Sequence, residues 1–362
     1  MNRLDIYLKH LDHNYKVLRS QLKASTQLIG VVKATAYGSE TTAIAKRLVT
    51  LGVDCLAVAY TAEGILLRNA GIKCPILVFY PQKENLNALL DAQLEGVIYA
   101  KGLWNAFQEI VVYRGLKNIP IHVKYNTGLN RVGFSEQESD WVLGHLKESP
   151  FALKSVYSHL GASEDPRPSD LCDRQIERFL RIKEKHSEGN QNIPFHLLNS
   201  SGVFNYSEYQ MDAVRTGIAL HGYANQEHWD KKLLSVSVLS SAISQIHQIK
   251  KGASVGYNTG WVATKSSKIA VLPIGHADGI GRHFGHHKGS VIIDNTQAPI
   301  VGNVCMDMLM VDVTGLNCSE GDRVELFGKQ QQASTLAENG GSISYELLTG
   351  IGPRIPRFIH DE

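Results

Sequence analysis

The sequence predicts an α/β fold: an N-terminal (β/α)8 TIM barrel followed by a smaller, mainly β C-terminal domain. Two observations carry this expectation. From residue 28 to residue 218, short apolar runs alternate with amphipathic stretches, and eight such runs can be counted. Past the polar stretch 224–232 the hydrophobic period becomes two, the alternation of strands with one buried face.

The eight runs are Leu28–Val32, Cys55–Ala59, Ile76–Tyr80, Gly96–Tyr99, Ile121–Lys124, Leu153–Tyr157, Phe195–Leu198 and Ala213–Ile218. Most are apolar on both faces, as strands of a buried parallel sheet are. Between them, Ile44, Leu48 and Leu51 fall at i, i+4, i+7. Ile176, Phe179 and Leu180 fall at i, i+3, i+4 within the charged stretch 173–186. Both patterns predict helices. A doubly wound open sheet is the competing arrangement, and the count of eight favours the barrel. Ala224–Lys232 reads as a linker, which divides the chain into a barrel domain, 1–228, and a β domain, 229–362. The first residues are candidates to pair with the β domain. Strands are expected at Val236–Val238, Lys268–Leu272, Gly289–Ile293, Leu309–Val313 and Arg323–Phe327, with turns at Asp294-Asn295 and Gly328-Lys329.

Composition narrows the function. Hydrophobic residues make up 43% and charged residues 20% of the 362, which excludes a disordered or fibrous chain. A net charge of +2 without basic clusters argues against nucleic-acid binding. No apolar run approaches the roughly 20 residues of a spanning helix, so no membrane role is expected. The N-terminal Met1–Lys9 carries charge where a signal peptide is apolar. Five scattered cysteines with no CxxC pair suggest neither a disulfide framework nor a metal site. A soluble, cytoplasmic protein is expected.

A barrel places its active site at the C-terminal ends of its strands. There the sequence has Lys33 and Tyr37, Lys124, Asn126 and Arg131, His159, Asn199 and Ser200, and Arg215 with Gly217 and Ile218. Barrels often hold a phosphate after their last two strands. Ser200 offers a hydroxyl there, and Gly217 and Ile218 offer backbone N–H groups. Lys33 follows the apolar Ile29–Val32, and a partly desolvated lysine becomes a usable nucleophile. A lysine beside a phosphate cradle is what pyridoxal 5'-phosphate (PLP) requires. Taken singly, each group has an ordinary reading. Lys33 could be a solvated charge, His159 a satisfied structural histidine, Arg131 half of an ion pair, and Lys124 a barrel-filling stem. Their joint placement is what favours function.

At these residues the sequence resembles the alanine racemase family of PLP enzymes, fold type III. The motifs are Val31-Val-Lys-Ala-Thr-Ala-Tyr-Gly38, Asn126-Thr-Gly-Leu-Asn-Arg-Val-Gly-Phe134, Tyr157-Ser-His159, Asn199-Ser200 and Val214-Arg-Thr-Gly-Ile-Ala-Leu220. They continue in Val255-Gly-Tyr257, Pro273-Ile-Gly-His-Ala-Asp-Gly279, Val301-Gly-Asn-Val-Cys-Met-Asp307 and Arg354-Ile-Pro-Arg357. They stand in family order and cover nearly the whole chain.

The resemblance implies interconversion of L- and D-alanine by a homodimer with shared active sites. It implies that Lys33 carries the cofactor covalently and serves as one catalytic base. Tyr257, supplied by the partner subunit, is the base on the opposite face. Arg215 contacts the pyridine nitrogen, His159 lies near the ring and Arg131 near its phenolic oxygen. Tyr37, Asn199, Ser200, Gly217 and Ile218 belong to cofactor binding, chiefly at the phosphate. Arg131, Met306 and Asp307 belong to substrate binding. Lys124 matches a lysine that some members carbamylate. Two bases on opposite faces allow a proton to leave one side of Cα and return to the other. An arginine is too basic to hand a proton to the pyridine nitrogen, which keeps the ring a weaker electron sink and limits transamination. The family's product feeds bacterial peptidoglycan.

The sequence departs from the family at four places. Thr35 stands for the usual Asn, Ser39-Glu40 for His-Gly, His276 for Tyr, and Pro353 for the Tyr ahead of the Arg-Val-Pro-Arg run. The last two bear on the substrate entrance, so a broad-specificity alanine/serine racemase is the first alternative. A decarboxylase on the same scaffold has different motifs. A non-catalytic PLP-binding protein would have no use for Tyr257.

Overall fold

The computed structural model describes residues 1–165, 170–188 and 193–361. Its contacts divide into two units. One comprises Tyr15–Ala36 and Thr41–Leu220; the other comprises Met1–Asn14, Tyr37–Glu40 and the chain from His221 on.

The strands, in chain order, are β1 (Arg3–Tyr7), β2 (Gln27–Val31), β3 (Cys55–Val58), β4 (Ile76–Val78), β5 (Glu95–Ile98), β6 (Ile119–Lys124), β7 (Phe151–Tyr157), β8 (Phe195–His196) and β9 (Ala213–Thr216). Strands β2 to β9 form a closed barrel, eight strands among the described residues, and it closes where Gln27 of β2 pairs in parallel with Ala213 of β9. The (β/α)8 expectation is met, and the open sheet is excluded. All four residues of β3 are buried, as are all of β4 and β9, which is why these strands show no alternation. Gly30 admits the helix that follows β2: a Cβ there would lie 3.2 Å from Leu48 Cδ1.

The helices bury the faces their periodicity allows. In Thr41–Leu51, Ile44, Ala45 and Leu48 are buried, while Leu51 is only partly so. In Leu171–Ser187 the inward face is Cys172, Gln175, Ile176, Phe179, Ile182 and His186. Leu180, expected on that face, is exposed. The stripe continues through 182 and 186 and leaves Leu180 to one side.

The second unit contains β10 (Ser237–Ala242), β11 (Gln245–Ile249), β12 (Ser254–Val255), β13 (Trp261–Val262), β14 (Ser267–Leu272), β15 (Ser290–Ile293), β16 (Thr296–Val301), β17 (Leu309–Asp312), β18 (Arg323–Phe327) and β19 (Arg357–His360). The mainly β character is as expected. Its large sheet runs β11-β14-β17-β16-β15-β18-β10-β1-β19, and β12 pairs with β13 separately. The N-terminal β1 sits between β10 and β19, antiparallel to the first and parallel to the second. Asp294 and Asn295, at φ 45° and 59°, join β15 to β16, the two positive φ values of a type I′ hairpin turn. Val255, Ile269, Val301 and Met310 form a buried cluster with Trp261 packed against it. No helix among the described residues is long and apolar enough to cross a membrane.

Candidate active site

Lys33 lies two residues past β2, after Val32, whose N–H still bonds Ala57 O at 2.9 Å. The turn Lys33–Gly38 is helical, yet Ala34, Thr35, Ala36 and Tyr37 have φ of 52°, 55°, 48° and 55°, and Gly38 has 76°. The turn is therefore left-handed, a conformation costing L-residues roughly 1–2 kcal/mol each. Glu63 secures its start: Oε1 accepts from Ala34 N at 2.6 Å, and Oε2 accepts from Ala59 N at 2.7 Å and Tyr60 N at 3.1 Å. Arg357 secures its end, donating from Nη2 to Gly38 O at 3.0 Å and to Ile351 O at 2.7 Å. Gly38 cannot be replaced, since a Cβ there would sit 1.9 Å from Leu348 O. Burial, and secondarily the charge of Arg131, hold the Lys33 amine below the usual lysine range, with Glu63 opposing.

Arg215, in β9 and almost fully buried, is held from several sides. Its Nη1 donates to His196 Nδ1 at 2.6 Å and to His196 O at 3.3 Å. Its Nη2 donates to Ser158 O at 2.6 Å, Leu197 O at 3.0 Å and His159 Nδ1 at 3.2 Å. The guanidinium lies 4.9 Å from the Tyr157 ring centroid. These bonds leave Nε–H without a partner among the described residues. Burial brings the Arg215 pKa down to about 10, still cationic at neutral pH. Because Arg215 only donates, His159 Nδ1 and His196 Nδ1 must accept, so each ring's proton is on Nε2. Burial, then Arg215, Arg131, Lys124 and Lys33, push the His159 pKa well down and keep it neutral.

Behind Arg215 runs a chain of hydrogen bonds that the sequence reading missed. His196 Nε2 donates to Ser155 Oγ at 2.7 Å, Ser155 donates to His122 Nδ1 at 2.7 Å, and His122 Nε2 donates to Glu95 Oε2 at 2.9 Å. The direction follows from Arg215 at one end and a carboxylate at the other. Burial opposes the Glu95 charge, but the His122 hydrogen bond, with the Lys154 and Arg68 charges, prevails and lowers its pKa. Glu95, His122 and Ser155 stand on the neighbouring strands β5, β6 and β7, and nothing within any one of these strands marks them out.

Lys124, the last residue of β6, donates from Nζ to Val132 O at 2.5 Å. Burial first, then Arg131 and Arg215, bring its pKa down to about 7. The loop after it doubles back: Asn126 N bonds Phe134 O and Phe134 N bonds Lys124 O. Gly133, at φ 131°, permits this, since a Cβ would lie 2.5 Å from Asn126 N. Arg131 lies within electrostatic reach of Lys33, Lys124 and His159.

Ser200 Oγ accepts from Gly217 N at 3.0 Å and Ala219 N at 3.4 Å. Asn199 Oδ1 caps Gly202 N at 2.9 Å and accepts from Ser163 Oγ at 2.8 Å. Asn199 thus shapes the loop from within rather than offering its side chain. The N–H of Ile218 has no partner among the described residues. Neither do the fully buried Thr216 Oγ1 and Tyr157 Oη. Unmade buried hydrogen bonds cost about 1–3 kcal/mol each, and a bound phosphate and ring would supply acceptors here. The barrel residues fit PLP on these grounds. Lys33, Lys124, Arg131, His159, Arg215, Ser200, Gly217 and Ile218 are thus gathered at the C-terminal ends of the strands.

The remaining candidates lie on the second unit. Tyr37 packs against His221 (5.0 Å) and Tyr345 (6.0 Å), and burial raises its phenol pKa. Tyr257 sits at the tip between β12 and β13 and is 71% exposed; Met306 is 58% exposed. Cys305 O and Met306 O accept from His276 N and Ala277 N, both at 3.0 Å. Arg354 joins Asp307 (2.8 Å) to the buried Asp278 (2.9 Å). His276 and Pro353 are exposed.

Comparison with known proteins agrees with this fold. Residues 6–225 match the family description "Alanine racemase, N-terminal domain" and residues 236–359 match "Alanine racemase, C-terminal domain". An alanine racemase of Thermodesulfovibrio yellowstonii is 33% identical, over 98% of this chain and 96% of its own length. One of Methanococcus maripaludis is 32% identical, over 98% of each. Among solved structures, alanine racemase of Clostridium difficile superposes with a TM-score of 0.91 at 28% identity, covering 100% of this chain and 96% of that one. The alanine racemase of Bartonella henselae with covalently bound pyridoxal phosphate does so with a TM-score of 0.90 at 26% identity, covering 99% of each. With both domains matched in order and curated relatives above 30% identity along the whole length, the chain belongs to the alanine racemase family.

Proposed function

We propose that this isomerase interconverts L- and D-alanine with PLP held covalently on Lys33. The observation that carries the proposal is the joint arrangement of a desolvated Lys33, a cradle at Ser200, Gly217 and Ile218, and an Arg215 that can only donate. PLP, when bound, withdraws the charge left on Cα when its proton departs. The chain's own residues do the rest. Lys33, its amine favoured in the neutral form by burial and Arg131, takes or returns the proton on one face of the substrate. Tyr257 does so on the other, and its exposure in a single chain supports its service to a partner's site in a homodimer. Arg215 and His159 hold the ring's orientation, Tyr37 and the Ser200 loop hold the phosphate, and Asn199 keeps that loop in shape. Arg131, Met306 and Asp307 orient the substrate carboxylate.

Lys124, with a pKa of about 7, is largely neutral just above neutral pH and is suited to carbamylation, which would place a negative charge beside Arg131. Among the described residues the five cysteines are free, in keeping with a cytoplasmic enzyme. The test is borohydride reduction of the yellow holoenzyme followed by peptide mapping. An adduct on Lys33 is expected, and an adduct on any other lysine rejects the site.

A second reading is favoured by His276 and Pro353, which are both exposed and present no phenol where many members have one. Pocket discrimination per methylene is about 1–3 kcal/mol, so measurable serine turnover is expected with alanine still preferred. Undetectable serine turnover, or an unchanged alanine-to-serine ratio in Pro353→Tyr, overturns it.

A further inference from the structure

Tyr257 stands in a loop whose conformation is costly at Thr259. Gly256 has φ 79°, and the two residues after the tyrosine, Asn258 and Thr259, have φ 56° and 51°. Glycine and asparagine enter the left-handed region readily, but β-branched Thr259 is poorly suited to it and costs roughly 1–3 kcal/mol there. The strands on either side, β12 and β13, have two residues each and pair only at Ser254–Val262 and Val255–Trp261. Val255 and Trp261 pack into the buried cluster, and Ala263 bonds Gly252 and Ala253, so the base of the ribbon is anchored, but so short a ribbon does not hold its tip by itself. The tyrosine's phenol has no hydrogen bond among the described residues, and only its backbone is held.

What holds it is Asn303, from the segment Val301–Asp307. Asn303 Nδ2 donates to Tyr257 O at 2.9 Å. The same carbonyl accepts from Gly260 N at 3.1 Å, closing the loop. Asn303 Oδ1 accepts from Arg282 Nη2 at 3.2 Å and from His286 Nε2 at 3.1 Å. The amide orientation is fixed by chemistry. A carbonyl can only accept and a guanidinium can only donate, so the NH2 must face Tyr257 and the oxygen must face Arg282. The fit is close on both sides of the loop. A Cβ on Gly260 would lie 2.8 Å from Asn303 Nδ2, and one on Gly256 would lie 3.4 Å from Asn303 N. Asn303 is itself placed by its neighbours, since His286 N bonds Gly302 O at 3.1 Å.

We propose that Asn303, braced by Arg282 and His286, is the positioning residue that sets the height and direction of Tyr257. It touches neither substrate nor cofactor in this role. It selects one loop conformation out of those that would relax Thr259, and so places the phenol oxygen where it can exchange a proton with Cα. Only an amide of this length does both jobs. A carboxylate keeps the acceptor for Arg282 but confronts Tyr257 O with a second acceptor, and an aliphatic side chain loses both halves.

The inference rests on Tyr257 acting as one of two bases, and its test separates the two ideas. The holoenzymes of wild type, Tyr257→Phe, Asn303→Asp, Asn303→Leu and Arg282→Lys are compared in three measurements. These are deuterium exchange at Cα of L-alanine and of D-alanine, the kcat and KM in each direction, and amide hydrogen exchange of the 254–262 peptide. Asn303→Asp and Asn303→Leu are expected to lower Cα exchange from L-alanine about tenfold or more, with exchange from D-alanine nearly unchanged. The loss should lie in kcat rather than KM, and amide exchange across 256–260 should speed up. Arg282→Lys, which keeps one donor, should fall between them and wild type. If Tyr257→Phe shows the face-selective loss but the Asn303 variants show neither it nor faster amide exchange, the positioning role is wrong. If Tyr257→Phe itself leaves exchange from L-alanine intact, the two-base reading fails first. If the Asn303 variants suppress both exchange reactions equally, Asn303 acts on folding of the site at large, and the proposal is likewise rejected.

Discussion

Ser155 is the narrowest link in the support of Arg215. Its hydroxyl is the sole partner, among the described residues, of both His196 Nε2 and His122 Nδ1, each at 2.7 Å. All three side chains are buried. Ser155→Ala therefore leaves one buried donor and one buried acceptor unmade, at about 1–3 kcal/mol each, or roughly 2–6 kcal/mol together. His196 cannot escape by exchanging tautomers, because Nδ1 must stay an acceptor for Arg215. The loss should appear as a lower urea midpoint with an unchanged slope. It should also appear in catalysis. If about 1.4 kcal/mol of the loss reaches the transition state through a less firmly held Arg215, kcat falls about tenfold. Ser155→Thr keeps the hydroxyl on a β-branched residue suited to a strand and should recover most of both. A stability change in Ser155→Ala below about 0.5 kcal/mol, the range of an inconsequential surface change, would refute the chain of bonds. So would a threonine variant no better than alanine.

Other consequences are as direct. Gly38→Ala combines a φ of 76° with a Cβ 1.9 Å from Leu348 O, so it should cost more than about 3 kcal/mol and be recovered mainly as aggregate; a melting temperature near wild type would contradict this. The Lys124 amine titrates near 7 in the folded chain against 10.5 as its ordinary value. The folded chain thus binds fewer protons between those values, and this residue makes the fold more stable as pH rises through that window; Lys124→Met should flatten that slope. The same residue should form a carbamate with labelled bicarbonate increasingly as pH rises from below its pKa, detectable by carbon NMR and lost in Lys124→Met. Mixing inactive Lys33→Ala and Tyr257→Phe subunits should regenerate activity in hybrid dimers, since one site of each hybrid has both bases; no recovery despite demonstrated subunit exchange argues against shared sites.

The parts of the fold that were legible in the sequence are those whose burial is uniform along an element. Strands β3, β4 and β9 are buried throughout, so they read as apolar runs, and eight runs closed into a barrel. Elements with mixed surroundings were not legible. The β11 strand, Gln-Ile-His-Gln-Ile, lies at a sheet edge with every residue at least partly exposed, so nothing enforces alternation. The β16 strand contains Pro299, which ordinarily argues against a strand. It is tolerated because the rungs to β17 begin one residue later, at Ile300 and Val301. Leu180 was misplaced because an i, i+3, i+4 pattern of three residues fixes a helical face only to within about one position.

The candidate site divides along a similar line. Groups that face the chemistry were legible, because a lysine, a histidine or a glycine at a strand end stands out against an apolar run. The groups that hold them were not. Glu63 stands in the first turn of the helix Thr61–Asn69, where an acidic residue is ordinary, and Ser155, His122 and Glu95 each look like ordinary polar residues within a strand. The left-handed turn after Lys33 shows most clearly why. Ala34, Thr35 and Ala36 have no intrinsic preference for positive φ, and four L-residues held there cost roughly 4–8 kcal/mol together. That conformation can persist only where the surroundings over-determine it. The surroundings are the Glu63 carboxylate on Ala34 N and the Arg357 guanidinium on Gly38 O and Ser39 O, which lie 29, 319 and 318 residues away from those atoms in the chain. A conformation imposed from such distances leaves no local trace in Ala34, Thr35, Ala36 and Tyr37, and only Gly38 carries one. Removing Glu63 alone should therefore relax the turn toward right-handed geometry and displace Lys33 without touching any residue that the chemistry uses.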